Sequence, residues 1–290
     1  MDSPHTGQWK IRRNSPVVGL LYLCILFSAC AGTYPVIPAA GCNVNEFDDL
    51  TGKSTDAAIF SMLLVENVRD GLPVDEITDC LANMTMQQLQ FQLNTEEKKK
   101  AFWLNVYNAY VQILLLETPE LFDDRNSWFG YNFFSTPQVV IAGRKLSFDD
   151  MEHGIMRRST HKLTMGYMKS FRIPEIEKQL WWNEIDPRIH FALNCGAASC
   201  PYIAVYEPGR VDEQLDMTTK NYLSETTHYD SERDRARVTR LMSWFRGDFG
   251  GLSGAKEMLR QYGIIPEDSD PKLSFLEYDW TLELGNYQDL

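Results

Sequence analysis

Apolar residues recur at helical spacing through the first half of the chain and shift to shorter, alternating runs in the second. Ser54 and Thr55 offer an N-cap to an amphipathic helix that runs to about Arg69 and is closed by Gly71 in the C′ position. Short helices follow between Pro73 and Gln92. Asn94 stands three residues before Glu97, a capping-box-like start for the longest helix, about 95–117, which stops before Pro119. Its stripe of Trp103, Val106, Tyr107, Tyr110, Val111 and Leu114 predicts core packing. A loop rich in aromatics (Trp128, Phe129, Tyr131, Phe133, Phe134) then leads to Gln138–Ala142, where Gly143 turns the chain into Lys145 and Leu146 as a hairpin. Ser147 caps a further helix with Asp149 and Asp150 in its first turn.

Beyond that point the pattern predicts strands over Arg188–Asn194 and Ile203–Tyr206, a helix over 211–225 and a strand near 236–240. Helices around 241–247 and 253–262 and a last strand near 273–282 complete the chain. Helices precede and interrupt the strands without a regular βαβ beat, so the fold class is α+β.

The N-terminus stands apart. Lys10, Arg12 and Arg13 precede an apolar run from Pro16 to Ala29 that is short for a membrane span, the pattern of a secretory signal over residues 1–29. The run ends Leu26-Phe27-Ser28-Ala29-Cys30, which looks like a bacterial lipobox with Cys30 as the lipidated residue; a plain signal cut near Ala31 and an uncleaved anchor helix are the alternatives. Residues 30–53 read as a tether and 54–290 as a single domain, held in the cell envelope or secreted. The membrane is one partner, through the lipid or the N-terminal segment.

Composition narrows the classes. With 28 Lys and Arg against 40 Asp and Glu the net charge is −12, and an acidic surface repels phosphate, which excludes nucleic acid as a partner. At 44% hydrophobic and 12% aromatic residues the chain buries a core, and no repeat points to a solenoid. Cys24 and Cys30 fall in the leader, leaving Cys42, Cys80, Cys195 and Cys200. In an oxidising compartment the simplest pairing joins Cys195 to Cys200 across their short Gly-containing spacer, with Cys42 to Cys80 as the other bridge. No nucleotide-, dinucleotide-, serine-hydrolase or zincin motif occurs, so no cofactor is implied.

Three blocks carry a resemblance: Ala101–Ala109 (AFWLNVYNA), Leu146–His153 (LSFDDMEH) and Ile189–Pro201 (IHFALNCGAASCP). With Ser243–Phe249 (SWFRGDF) and Tyr278–Trp280 (YDW), they resemble the signature blocks of domain-of-unknown-function family 547, particularly its bacterial, Bacteroidetes-like envelope members, over about residues 95–285. The resemblance implies a domain identity and no activity. By looser analogy the core is expected to be similar to a papain or transglutaminase fold, a central helix on an antiparallel sheet, although the long helix lacks the cysteine that such enzymes carry at its start.

Candidate chemistry sits in the polar residues of those blocks. Asn105 and Asn108 share one side of the long helix and either contact a ligand or satisfy a neighbouring loop. On a strand, His190 and Asn194 would face opposite to Cys195, which makes Cys200, folded back by Gly196 beside Ser199, the better partner for His190. His153, next to Glu152, is a second possible base. His190, Cys195, Cys200 and His153 include metal-binding types, but their spacing is not that of a zinc site. Two functions remain open: a thiol-dependent hydrolase or acyl transferase, with Cys200 or Cys195 as nucleophile, His190 or His153 as base and Glu152 or Asn194 as orienter, acting on an unidentified substrate; or a non-catalytic envelope binding or assembly module held by a Cys195–Cys200 disulfide.

Overall fold

The computed structural model describes residues 56–126 and 132–290. The leader, Cys30, the tether, Ser54, Thr55, Cys42 and the aromatics Trp128, Phe129 and Tyr131 lie outside the described residues. Helix α1 spans Ala57–Asp70; the Asp56 carboxylate accepts from the Ala58 N–H at its start, and Gly71 (φ 69°) closes it, with the Leu72 N–H reaching back to the Asn67 carbonyl. Helices α2 (Asp75–Asn83) and α3 (Met86–Gln92) follow, the latter opened by a Thr85–Gln88 capping box.

The long helix α4 (Glu96–Glu117) is capped by Thr95, whose side chain accepts from the Lys98 N–H, one residue later than the Asn94 start expected from sequence. Every residue from Ala101 to Gln112 is buried, so α4 is not amphipathic but central, enclosed on all sides. It packs most extensively on α1, and also on α6 (Val211–Thr226) and on a π-helix over Asp150–Met156. The central helix therefore lies among helices and not on an antiparallel sheet, which departs from the papain-like arrangement; the α+β class stands.

The hairpin pairs β1 (Val139–Ile141) with β2 (Arg144–Leu146) around Ala142 and Gly143, both at positive φ. The 188–194 segment is not a strand. Pro187–Phe191 forms a 3₁₀ turn, with the Asp186 side chain accepting from the Arg188 N–H and Pro187 in the first turn. An Asp-Pro start supplies both a cap and a fixed φ, and it overrides the apparent alternation. The 203–206 segment is likewise irregular, carrying only an isolated bridge from Ile203 to Tyr287.

After a short helix α5 (Glu175–Leu180) and α6, the chain builds a three-stranded sheet in the order β3 (His228–Asp230), β4 (Arg235–Val238), β5 (Lys272–Phe275). The first pair is antiparallel, and the second is parallel with Ala236 opposite Leu273. Helices α7 (Leu241–Trp244) and α8 (Gly251–Gln261) lie between β4 and β5. The expected last strand stops at Phe275, and residues 276–290 become a strap over the 196–203 loop. Its bonds include Ala198 N–H to the Thr281 carbonyl (2.8 Å), Glu283 N–H to the Gly196 carbonyl (2.8 Å) and Ile203 N–H to the Asn286 carbonyl (2.8 Å).

One apolar core surrounds α4 and a smaller one joins α6, α8 and the sheet, with Tyr278 packed against both. No helix among the described residues is long and apolar enough to cross a membrane.

Candidate active site

Where the two cores meet, a cavity of about 250 Å³ opens between α4, the π-helix, the 3₁₀ turn and the strap. Ser147 and Asp150 begin the π-helix reciprocally: Ser147 Oγ accepts from the Asp150 N–H (3.0 Å), and Asp150 Oδ2 accepts from the Ser147 N–H (2.8 Å). The wider π turn brings Asp149, Glu152 and His153 to the cavity wall, next to Tyr107 of α4. Opposite stand Trp244, Tyr278 and Trp280, mutually packed with ring centroids 4.7–5.7 Å apart.

Behind this wall lies a dry charge cluster. Arg157 and Asp248 have fully buried side chains joined by two hydrogen bonds, Nε to Oδ2 at 2.6 Å and Nη2 to Oδ1 at 3.2 Å. His190 donates from Nε2 to the same Asp248 Oδ2 (2.8 Å), and its ring stacks on Phe245 with centroids 3.8 Å apart. Burial works to raise the Asp248 pKa, but the bonds from His190 and Arg157 outweigh it and hold the carboxylate at about 2. Burial lowers the His190 pKa, against the pull of Asp248, so the ring is neutral with its proton on Nε2 and Nδ1 as the basic nitrogen.

His153 is fixed in the other tautomer. Arg157 Nη1 can only donate, and it lies 2.7 Å from His153 Nδ1, so that nitrogen accepts and Nε2 carries the proton, 3.6 Å from Asp149. Burial and then the adjacent Arg157 push its pKa well down. Glu152 moves the opposite way. Burial raises it to about 7 despite Arg157, assisted by Asp149 and Asp248. Tyr107, whose own pKa burial raises well up, keeps its proton and donates to the Glu152 carboxylate.

The sulfurs are arranged differently from the sequence expectation. Cys195 and Cys200 are free thiols, not a disulfide, with Sγ atoms 2.8 Å apart. Their other side-chain partner is Tyr278, whose hydroxyl is 3.2 Å from Cys200 Sγ and 3.8 Å from Cys195 Sγ. The proposed His190–Cys200 pairing is not made, because His190 Nε2 is committed to Asp248 and the 3₁₀ turn removes the strand faces on which that pairing was argued. Cys80 is not among the free thiols, and its expected partner Cys42 falls outside the described residues.

The structure thus brings Glu152, His153, His190 and Cys195 to one cavity. Cys200 and Ser199 line a second cavity of about 210 Å³ on the far side of Tyr278. The asparagines lie in the framework. Asn105 donates to the Tyr206 carbonyl (2.8 Å) and accepts from its N–H (2.9 Å); Asn108 does the same to the Ala192 carbonyl (2.9 Å) and the Asn194 N–H (2.8 Å). Asn194 donates to the Pro201 carbonyl (2.7 Å) and accepts from the Gly196 N–H (2.9 Å), shaping the sulfur loop. Among the described residues no group of three or more His, Cys, Asp or Glu side chains is placed to hold a metal ion.

Residues 91–223 match the family described as protein of unknown function, DUF547. The chain carries a DUF547 domain. No curated protein and no solved structure matches it. The DUF547 segment contributes Tyr107, Glu152, His153, Arg157, His190 and both sulfurs, whereas Asp248 and the aromatic wall come from residues beyond it.

Sequence reasoning missed Arg157, Asp248, Tyr107, Phe245 and Tyr278 as site residues. Tyr107 belongs to the core stripe of the long helix, Asp248, Phe245 and Tyr278 lie inside the later signature blocks without standing out there, and Arg157 falls outside every block. Arg157 directly follows Gly154, Ile155 and Met156, all buried, and that juxtaposition was the available signal for a buried ion pair.

Proposed function

We propose that the cleft is the active site of a hydrolase or acyl transferase in which Glu152 carries the proton. The observation that supports this is the position of one carboxyl group: Glu152 sits in the wall of a ligand-sized aromatic cavity, in contact with Tyr107, with its pKa pushed up to about 7. Such a group is part protonated at neutral pH and passes a proton in either direction, which an ordinary carboxylate does not. The Trp244–Tyr278–Trp280 wall suits a substrate with a flat or apolar face. His190 Nδ1 is the basic nitrogen available to activate water, and Cys195 is the thiol of the same cavity.

A binding module is the second reading, favoured by the aromatic wall, which would hold a ligand without any proton transfer. One experiment separates the two. Nitrophenyl esters, thioesters and glycosides are offered between pH 5 and 9, with binding followed by thermal shift. The enzyme reading expects turnover that declines as pH rises past about 7 and a loss of about 100-fold in kcat in Glu152→Gln. Turnover unchanged in that variant removes Glu152 from the chemistry. Ligand-induced stabilisation without turnover in either protein assigns the binding module.

We further propose that residues 1–29 direct export and that Cys30 is lipidated, supported by the leader pattern alone. Partition of the full chain into detergent, abolished in Cys30→Ala, is the expected result; unchanged partitioning and mobility in that variant favour a plain signal or an anchor helix.

A further inference from the structure

Cys200 Sγ is the focus of several donors. The Cys195 N–H points at it from 3.1 Å, an unambiguous donor, and the Tyr278 hydroxyl (3.2 Å) and Cys195 Sγ (2.8 Å) complete the set. The loop that holds the two sulfurs is fixed at both ends and in its middle. Gly196 (φ +92°) turns it where a Cβ would strike Leu115, the Ser199 carbonyl accepts from the Tyr222 hydroxyl (2.8 Å), and Ser199 Oγ accepts from the Asp279 N–H (2.8 Å). Bringing the sulfurs into bonding distance therefore needs only a small side-chain movement, without backbone rearrangement.

Each sulfur has its own approach. Cys195 lines the cleft already described, and Cys200 lines the second cavity, with Tyr278 as the partition between them. That second cavity carries both charge signs, Arg240 against Glu225 and Glu277, which complements a small zwitterionic molecule.

We propose that Cys195 and Cys200 form a redox dithiol that exchanges with a low-molecular-weight zwitterionic disulfide, with Cys200 attacking from the second cavity, Cys195 resolving and Tyr278 donating to the attacking sulfur. The electrostatics agree with this division. Burial works to raise the Cys200 pKa, but the bonds from Cys195, Tyr278 and the backbone lower it below an ordinary thiol, while Cys195 is pushed well up, first by its bond to Cys200 and then by burial. Tyr278, raised well up by burial, keeps its proton.

The exchange balances as follows. The Cys200 thiolate attacks one sulfur of the disulfide RS–SR′; its S–S bond breaks, R′S⁻ leaves and takes a proton from solvent, and Cys200 is joined to SR. Cys195 then loses its proton and attacks Cys200 Sγ. The Cys195–Cys200 bond forms, and RS⁻ departs with a proton as RSH. The protein dithiol is oxidised by two electrons, the small disulfide is reduced to two thiols, and excess free thiol reverses the reaction. The inference stands apart from the Glu152 chemistry.

The test uses the purified protein in mixtures of reduced and oxidised glutathione at pH 7.5, quenched with acid, alkylated and read by mass spectrometry. The wild-type protein is expected to pass reversibly between two alkylatable thiols and none at this pair as the glutathione ratio changes. In the reduced protein Cys200 should be alkylated about tenfold or more faster than Cys195, because the donors around its sulfur favour the thiolate there. Cys195→Ser should accumulate a glutathione adduct on Cys200, whereas Cys200→Ser should accumulate little on Cys195. Tyr278→Phe, which keeps the ring, should move the exchange equilibrium about tenfold toward the protein disulfide through loss of a hydrogen bond to the thiolate, with its circular dichroism unchanged. Failure of the wild-type pair to oxidise in excess oxidised glutathione, a disulfide that excess glutathione does not reduce, or trapping on Cys195 instead of Cys200 would each overturn the proposal.

Discussion

Glu152 shows at the scale of one residue how burial becomes a functional property. Its folded pKa of about 7 lies above the ordinary carboxyl value of 4.5, so the folded protein binds the proton more tightly than the unfolded chain does. The stability this contributes is complete below about pH 4.5 and is lost as pH rises through 7. Glu152→Gln keeps the shape and removes the charge. With the side chain 16% exposed, the variant should be more stable than wild type by roughly 2 kcal/mol at pH 8 and equal to it at pH 4. Urea denaturation at both values checks this, and equal stability at pH 8 would mean that the carboxyl titrates normally. Asp248 behaves in the opposite sense. Asp248→Asn leaves Arg157 buried without its counter-charge, and a loss of roughly 3–5 kcal/mol is expected, visible as a lower urea midpoint at pH 7. A loss below about 1 kcal/mol, the size of a surface pair, would show that water reaches the cluster.

At the scale of elements, α4 is the ruler of the fold, and its asparagines mark where other segments are attached. Asn105 holds the backbone of Tyr206, and Asn108 holds that of Ala192 and Asn194, each through one donated and one accepted bond. An irregular segment buried against a helix cannot satisfy its own peptide groups, so amide side chains do it. Asn108→Ala strands a carbonyl and an N–H and should cost roughly 2–4 kcal/mol, with the sulfur loop loosened: Cys195 should then be alkylated faster in the reduced protein. Unchanged alkylation would separate Asn108 from the site. The helix itself was legible from its Trp103–Leu114 stripe and its stop before Pro119, yet its complete burial was not, because a central helix differs from an amphipathic one only in what its neighbours cover.

At the scale of the whole molecule, acid is expected to unfold the protein through two buried carboxylates that tie distant segments together. Asp248 joins the region after α7 to the π-helix and the 3₁₀ turn, and Asp186 joins Lys100 of α4 to Arg188. Burial opposes both charges, but their partners hold each at about 2 against an ordinary 3.8. Their contribution is present above pH 3.8 and is lost as pH falls through about 2, roughly 2 kcal/mol for each. Thermal unfolding should be nearly flat between pH 5 and 4 and fall steeply between pH 4 and 2. A melting temperature that holds at pH 2 would show that neither pair is strong. The strap of residues 276–290 adds a constraint of another kind, since it completes the aromatic wall and pins the sulfur loop from the far end of the chain.

Sequence alone determined the features that depend on neighbours along the chain. Periodicity and the stops at Gly71, Pro119 and Gly143 placed α1, α4, the 139–146 hairpin and α6, because such elements close their hydrogen bonds within a few residues, although the caps proved to be Asp56 for α1 and Thr95 for α4. The signature blocks located Glu152, His153, His190, Cys195 and Cys200 as the chemistry of interest. Tertiary structure decided what each became. His190 became the partner of Asp248 and not of a sulfur, Arg157 became the buried counter-charge of that same carboxylate, and Glu152 acquired its near-neutral pKa. These outcomes depend on desolvation and on charges many residues away, and neither quantity is written in local spacing. The 3₁₀ turn at Pro187–Phe191 shows the boundary: its alternating residues imitate a strand, but Asp186 and Pro187 start a turn, and α4 supplies through Asn108 the bonds that a sheet would have given.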